Sequence, residues 1–344
     1  MTQAQAELPP IETLFNPHSP EYMKDPVAGC LELLHRGRLV WYEPWQAWIM
    51  TRMPDIMACW KEEYLSSDFY DWEFAPPRPP EDQWCNFERA MIGHSLLADH
   101  DHHRLVRRVT APAFSRNVVD KIQASIEPDV KKLFDDLGQP EEFDYKAEIA
   151  QHIPFISITR MVGIPEKYWA DIRKVILTFT EAWNPTISEE RREAARQDSN
   201  RAIDIIHEVI AERRGQPEQD DFLSTLLQIE ADNPDFEEWD IVTLILALVG
   251  AGADTTLVAQ QWSVYSLLKN RDQVATALAS PEAFSNAFSE INRWSTHSKM
   301  GFARYAPQDM EVLGQAVRKG QMILMMPHLK DCLLYTSPSP RDKF

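Results

Sequence analysis

The sequence predicts a mainly α protein with a small β-sheet, an α+β chain of 344 residues. Three observations predict it. Amphipathic stretches at helical spacing fill most of the chain between residues 100 and 294. Short alternating runs bounded by turn signals fall near the two ends, at Leu39–Tyr42, Trp48–Thr51, Phe302–Tyr305, Met310–Leu313 and Gln321–Met326. No internal repeat and no break in composition marks a linker, so residues 1–331 read as one domain.

Composition narrows the class. A hydrophobic content of 44% and an aromatic content of 10% are globular values. A formal charge of −18 argues against nucleic acid and against an anionic membrane surface as partners. Cys30, Cys59, Cys85 and Cys332 form no CxxC pair, which fits a reducing compartment rather than a disulfide framework or a zinc module. The N-terminus has neither a basic region nor an apolar one, and the apolar run Ile241–Ala253 is too short to span a bilayer before Asp254 interrupts it. A soluble, cytoplasmic protein is expected.

In chain order, residues 1–20 are Pro-rich and irregular, and Asp25–His35 is a short amphipathic helix ending at Gly37. The first two strand-like runs flank Glu43–Pro44 and predict a hairpin. Pro54–Tyr64 reads as a helix opened by its proline. Residues 66–90 hold APPRPP and the aromatics Phe69, Tyr70, Trp72, Phe74, Trp84 and Phe87, and read as a long loop used for binding. His102–Thr110 is a basic helical segment, and Arg116–Leu137 and Lys146–Val162 are amphipathic helices closed at Gly138 and Gly163. Trp169–Trp183 and Asp220–Glu230 are helical, while Ser188–Arg214 is a strongly charged, solvated helix between them. Asp235 with Glu238 predicts a capping box for a central helix reaching about Lys269. Arg271–Ala279 and Glu282–Trp294 are the last helices before the terminal strands.

The stretch Ile241–Trp262 is the centre of the sequence. Within its apolar run sit Gly250, Ala251, Gly252, Asp254, Thr255 and Thr256, which packing alone does not favour. Gly inside a helix costs about 1 kcal/mol against Ala, and an Asp between apolar turns costs more unless paired. Small residues let another body approach the backbone, and Thr and Asp can compete for helix carbonyls and open the turn. Asp254 and Thr255 then offer an acid and a hydroxyl beside an apolar space, a pair suited to proton delivery. A kinked buried helix with a satisfied Asp is the alternative.

Two further patterns accompany this turn. His103 and Arg107, four apart, share a helix face and form a two-pronged receptor for carboxylates, or else a solvated basic face. Glu290 and Arg293, three apart in an apolar setting, form a surface ion pair or a buried structural lock. His100, His102 and His103 with Asp99 and Asp101 do not have the spacing of a metal site, and the Met322–Met326 run reads as strand packing.

In this order and spacing the patterns resemble the haem-thiolate monooxygenases, the cytochromes P-450, over about residues 10–331. The resemblance implies that fold and a haem cofactor. DHDHHRLVRRVTAPAFS is similar to that family's helix C, which places His103 and Arg107 on the haem propionates. AGADTT resembles the oxygen-activating turn, with Asp254 and Thr255 as acid and alcohol and Ala251 and Gly252 against the porphyrin. Glu290 and Arg293 match the ExxR pair, and Arg304 falls where a further propionate-binding Arg is usual. MMPHLKD resembles a later conserved segment but departs from it at Leu329 and Lys330.

The implied activity is insertion of one oxygen atom into a small apolar substrate, using O₂ and two electrons from a ferredoxin- or flavodoxin-type donor. Arg104 and Arg108 would dock that donor, and Leu248, Ala251, Phe87 and Phe302 would contact substrate. The family's Cys-bearing haem loop is absent from these 344 residues, and Cys332 lacks its flanking residues. CLLYTSPSPRD resembles a reading frame of a sequencing-library adapter, so residues 332–344 are expected to be foreign and the chain cut before its axial thiolate. No metal ligand is expected in the chain as it stands, and without the thiolate it is expected not to turn over. The competing class is a helical, non-catalytic ligand-binding or interaction module.

Overall fold

The computed structural model describes residues 10–13, 15–17, 19–24, 27–62, 64–93, 100–114, 116–182, 187–294 and 301–326. The helices are α1 (Pro20–Lys24), α2 (Val27–Arg36), α3 (Met53–Glu62), α4 (Asn86–Gly93), α5 (His100–Thr110), α6 (Arg116–Leu137) and α7 (His152–Val162). They continue with α8 (Trp169–Ala182), α9 (Glu189–Arg213), α10 (Phe222–Asp232), α11 (Glu238–Lys269), α12 (Val274–Ala277) and α13 (Pro281–Trp294). The strands are β1 (Leu39–Tyr42), β2 (Ala47–Met50), β3 (Phe302–Tyr305), β4 (Met310–Val312), β5 (Gln315–Val317) and β6 (Met322–Met325). The mainly helical class with a small sheet is as expected, and the chain divides into two units, residues 1–78 with 265–344 and residues 79–264.

The first unit carries the sheet. β1 and β2 form the expected antiparallel hairpin, turned at Gln46 with φ 47°. β2 then pairs parallel with β6, and β6 antiparallel with β3, in the order β1-β2-β6-β3. Side chains alternate across a strand, and each face meets its own core. Ile49 and Leu324 pack with Phe15, Leu33 and Tyr42 on one side. Met50, Ile323 and Met325 pack with Ile56 and Leu65 on the other. With both faces covered, β6 is buried at every residue, which accounts for its unbroken apolar sequence.

The same unit gives the first part of residues 66–90 a structural role. Ser66 bridges to Tyr305, the Glu73 amide donates to the Gly320 carbonyl at 2.8 Å, and Phe69 and Trp72 pack on Ala47, Tyr305 and Met322. These aromatics cover the edge of the sheet core. The segment's far end is helix α4, in the other unit.

Residues 79–264 form a helical unit with one apolar core. The first half of α11 is buried nearly all round, from Ile241 to Leu246 and again at Val249 and Gly250, which is why it lacks a polar face. By length and composition α11 could cross a membrane, but this half is spent on the core of its own unit. α9 is not solvated throughout as expected. Its charged start is exposed, whereas Ala202, Ile203, Ile206, Val209 and Ile210 are buried. Its end is locked where Arg213 donates to Asp221 (2.6 and 2.7 Å), to Ser224 (3.0 Å) and to the Gly163 carbonyl (2.9 Å). Gly163 caps α7 in the left-handed region, φ 89°.

Two local expectations at α11 are also corrected. The cap is not made by Asp235. The Asp240 carboxylate accepts from the Glu237 amide at 2.9 Å, while Glu238 turns to His207 and Arg214. Nor do Asp254 and Thr255 break the helix. The Thr255 hydroxyl donates to the Ala251 carbonyl at 2.6 Å, an i to i−4 bond that leaves α11 continuous.

Candidate active site

In the helical unit the residues singled out lie on α5, α4 and α11. Ala251, Asp254 and Thr255 are exposed on α11, and Leu248 is half-buried against the core. A small residue, an acid and a hydroxyl thus lie together where the buried first half of α11 gives way to its largely open second half. Because the Thr255 proton is directed at the Ala251 carbonyl, the hydroxyl's remaining lone pairs are what it presents to an approaching donor. Asp254 makes no ion pair among the described residues.

Gly252 serves a different neighbour from the one expected. A Cβ there would stand 3.1 Å from Cδ1 and 3.2 Å from Cγ1 of Ile158, so the missing side chain admits α7. Phe87, predicted in a loop, is on α4 and is buried in the core. Neither position offers an open side-chain surface to a ligand.

On α5 the residues sort by helical phase. Val106 and Thr110 are buried, and His102, one turn earlier on that stripe, is half-buried. His103 and Arg107 lie about 100° round the axis, His103 half-buried and Arg107 exposed. Arg104 and Arg108 are exposed one residue further round, Arg104 in an ion pair with Asp101 at 2.5 Å. His102 Nε2 lies 2.6 Å from Asp240 Oδ1, so α5 is tied to the first turn of α11. At 1.5 Å per residue the Ala251–Thr255 turn begins roughly 17 Å further along that helix. Sequence reasoning did not single out Asp240, one of several acids before an apolar run.

In the sheet unit, Glu290 and Arg293 form a two-pronged pair, Nε to Oε2 at 2.7 Å and Nη2 to Oε1 at 2.6 Å. The Arg side chain is 9% exposed and the Glu 59%, so the lock is buried at one end only. The Arg293 guanidinium holds the Glu290 carboxyl below its ordinary value. Arg304 on β3 is half-buried and donates from Nη1 to the Ala303 carbonyl at 2.8 Å. Burial pushes its guanidinium down from its ordinary value, and no carboxylate partners it among the described residues. Phe302 is 53% exposed and meets Trp60 edge-on at 5.9 Å.

A sequence model of the family described as Cytochrome P450 matches residues 56–278. The chain belongs to that family. It is 27% identical to the epothilone C/D epoxidase of Sorangium cellulosum, over 99% of this chain and 83% of that protein. It is 26% identical to the polyketide biosynthesis cytochrome P450 PksS of Bacillus subtilis (strain 168), over 91% and 77%. The solved structure of epothilone B-bound cytochrome P450epoK is similar at a TM-score of 0.83 and 25% identity, covering 94% of this chain and 82% of that one. The protein is therefore of a haem-dependent monooxygenase family whose members draw electrons from a redox partner. The non-catalytic binding module is not favoured.

Each unit, taken by itself, carries a cation whose chemistry suits the carboxylates of a haem. A desolvated guanidinium without a carboxylate, Arg304, is a cation short of an anion. Arg107 also pairs with no carboxylate among the described residues, and His103 precedes it by one turn. The described cysteines do not offer an axial thiolate of this family's kind. Cys30 and Cys59 are buried in apolar cores, and the Cys85 thiol donates to Glu88. Cys332, with the whole segment 327–344, lies outside the described residues.

Proposed function

We propose that the enzyme inserts one oxygen atom of O₂ into an apolar substrate of the polyketide class and releases the other as water. The overall reaction consumes two electrons and two protons. The observation that carries this reading is the exposed turn on α11, where Thr255 donates its own proton to Ala251 beside Asp254, which makes no ion pair among the described residues. The substrate class rests on relatives that include the epothilone C/D epoxidase and the 6-deoxyerythronolide B hydroxylase of Saccharopolyspora erythraea, 25% identical over 81% of this chain.

Each residue has a defined task in this reading. In the helical unit His103 and Arg107 take a carboxylate of the porphyrin edge. In the sheet unit Arg304 is by its own chemistry a carboxylate-binding cation. Haem, when bound, supplies oxygen activation and electron storage. Ala251 leaves room on the open face of α11, and Leu248 offers substrate an apolar surface there. In the sheet unit Phe302 is an exposed apolar side chain. Phe87, buried on α4, packs in the core, and Gly252 sets the approach of α7. Asp254 takes protons from water, and Thr255 accepts a hydrogen bond that keeps the donor in place. Glu290 with Arg293 holds the end of α13. Arg104 and Arg108 form a basic patch for an acidic ferredoxin- or flavodoxin-type donor. The cytoplasm is the expected site, in keeping with thiols rather than disulfides at Cys30, Cys59 and Cys85.

The experiment is Thr255→Ala in the chain extended with the family's Cys-bearing haem loop, with electrons consumed, peroxide released and product formed measured together. Product per electron pair falls at least about tenfold, with peroxide rising in its place. Unchanged coupling would remove Thr255 from the proton path.

A further inference from the structure

We infer that His102 and Asp240 are positioning residues that set the rotational phase of α5, and through it the direction of the His103–Arg107 stripe. This rests on the reading of that stripe as the grip on the porphyrin edge.

Apolar contact holds α5 to its core at Val106, and apolar contact is non-directional. It permits small rotation about the helix axis. A hydrogen bond weakens steeply off its line, so a bond from the same helix fixes the phase. His102 Nε2 to Asp240 Oδ1, at 2.6 Å, is such a bond. His103 follows His102 directly, so turning one by any angle turns the other by the same angle.

The point to which His102 is tied is itself fixed. Asp240 is 5% exposed, and its second oxygen accepts the Glu237 amide, so the carboxylate cannot swing to follow a moving imidazole. The turn that carries it is held from a second helix as well. His207 on α9 lies 2.8 Å from Glu238 through Nδ1, and Glu238 also accepts from Arg214 at 2.9 Å. α5 therefore takes its phase from a rigid reference at the start of α11, not from a mobile surface acid.

The test uses the full chain and two readouts. Amide exchange reports the order of α5, and metal-free protoporphyrin IX, which carries the carboxylates but no iron, reports the grip by fluorescence titration. In His102→Ala the α5 amides exchange about tenfold faster and protoporphyrin binds about tenfold more weakly, while the first turn of α11 keeps its protection. His102→Gln retains a donor and restores both to within about threefold. Unchanged α5 exchange in His102→Ala, or equal loss of protection across residues 79–264, overturns the proposal. So does loosened α5 with unchanged porphyrin binding when Arg107→Ala does weaken it. If Arg107→Ala leaves porphyrin binding unchanged, the grip itself is wrong and the proposal falls with it.

Discussion

Arg304 shows at the scale of one residue why a site can be a stability defect. Its guanidinium is pushed down by burial and reaches the carbonyl of its own neighbour rather than a carboxylate. A buried charge so placed costs the ligand-free chain free energy. Arg304→Met is expected to stabilise that chain by about 1 kcal/mol in thermal unfolding and to weaken protoporphyrin binding. The gain and the loss come from the same desolvated charge. Arg304 was legible in sequence only through its place in a family pattern, because a strand Arg is ordinarily a surface residue. Gly252 teaches the reverse. The small-residue turn was plain in the sequence, but the body that fills its notch is Ile158, and no local signal connects positions so far apart.

Between elements, the junction of α4 with α9 is held by polar contacts at successive residues. Asn86 Nδ2 donates to Asp204 at 2.7 Å, the Phe87 amide to Asn200 at 2.8 Å, and Arg196 to Glu88 at 2.6 Å. Cys85 stands at the N-cap, and Glu88 reaches back to its amide at 3.0 Å, half of a capping box. Burial pushes the Glu88 carboxyl up, but hydrogen bonds from Arg196 and Cys85 outweigh it and hold it below its ordinary 4.5. Its ionised form is thus favoured by folding. That stability is whole above about pH 4.5 and is lost as pH falls through the lowered value. Glu88→Gln is expected to cost about 1–3 kcal/mol at pH 7 and to flatten the fall of melting temperature below pH 4.5.

This junction was hidden from sequence reading for a definite reason. Periodicity located α5 to α11 within a few residues, since each carries apolar residues at helical spacing. α4 is short, and the proline and aromatic signals before it outweighed its pattern, so Phe87 was placed in a loop. The caps failed likewise. Asp235 and Asp240 both precede the apolar run, and only tertiary contact with His102 decides between them.

For the whole molecule the topology separates local from distant contacts. Residues 79–264 form one unit from continuous chain, whereas the sheet unit joins residues 1–78 to 265–344. The small sheet from both ends was legible because short strand-like runs bounded by turn signals fall there, but their order was not, since pairing leaves no mark on either strand alone. Chain closure over long separations slows folding. Pulse-labelled refolding is expected to protect amides of α9 and the first half of α11 before those of β2 and β6. Simultaneous protection would show that the units fold as one.

The parallel ladder of β2 with β6 has a consequence for synthesis. Ala47 leaves the ribosome some 275 residues before Met322, its partner. At about 5–20 residues per second, the hairpin then waits many seconds with the flank of β2 bare. An unpaired apolar strand is a template for the wrong neighbour. The newborn chain is thus most vulnerable to association through its earliest hairpin, and a chaperone that shields short strands would raise its yield more than one that holds helices.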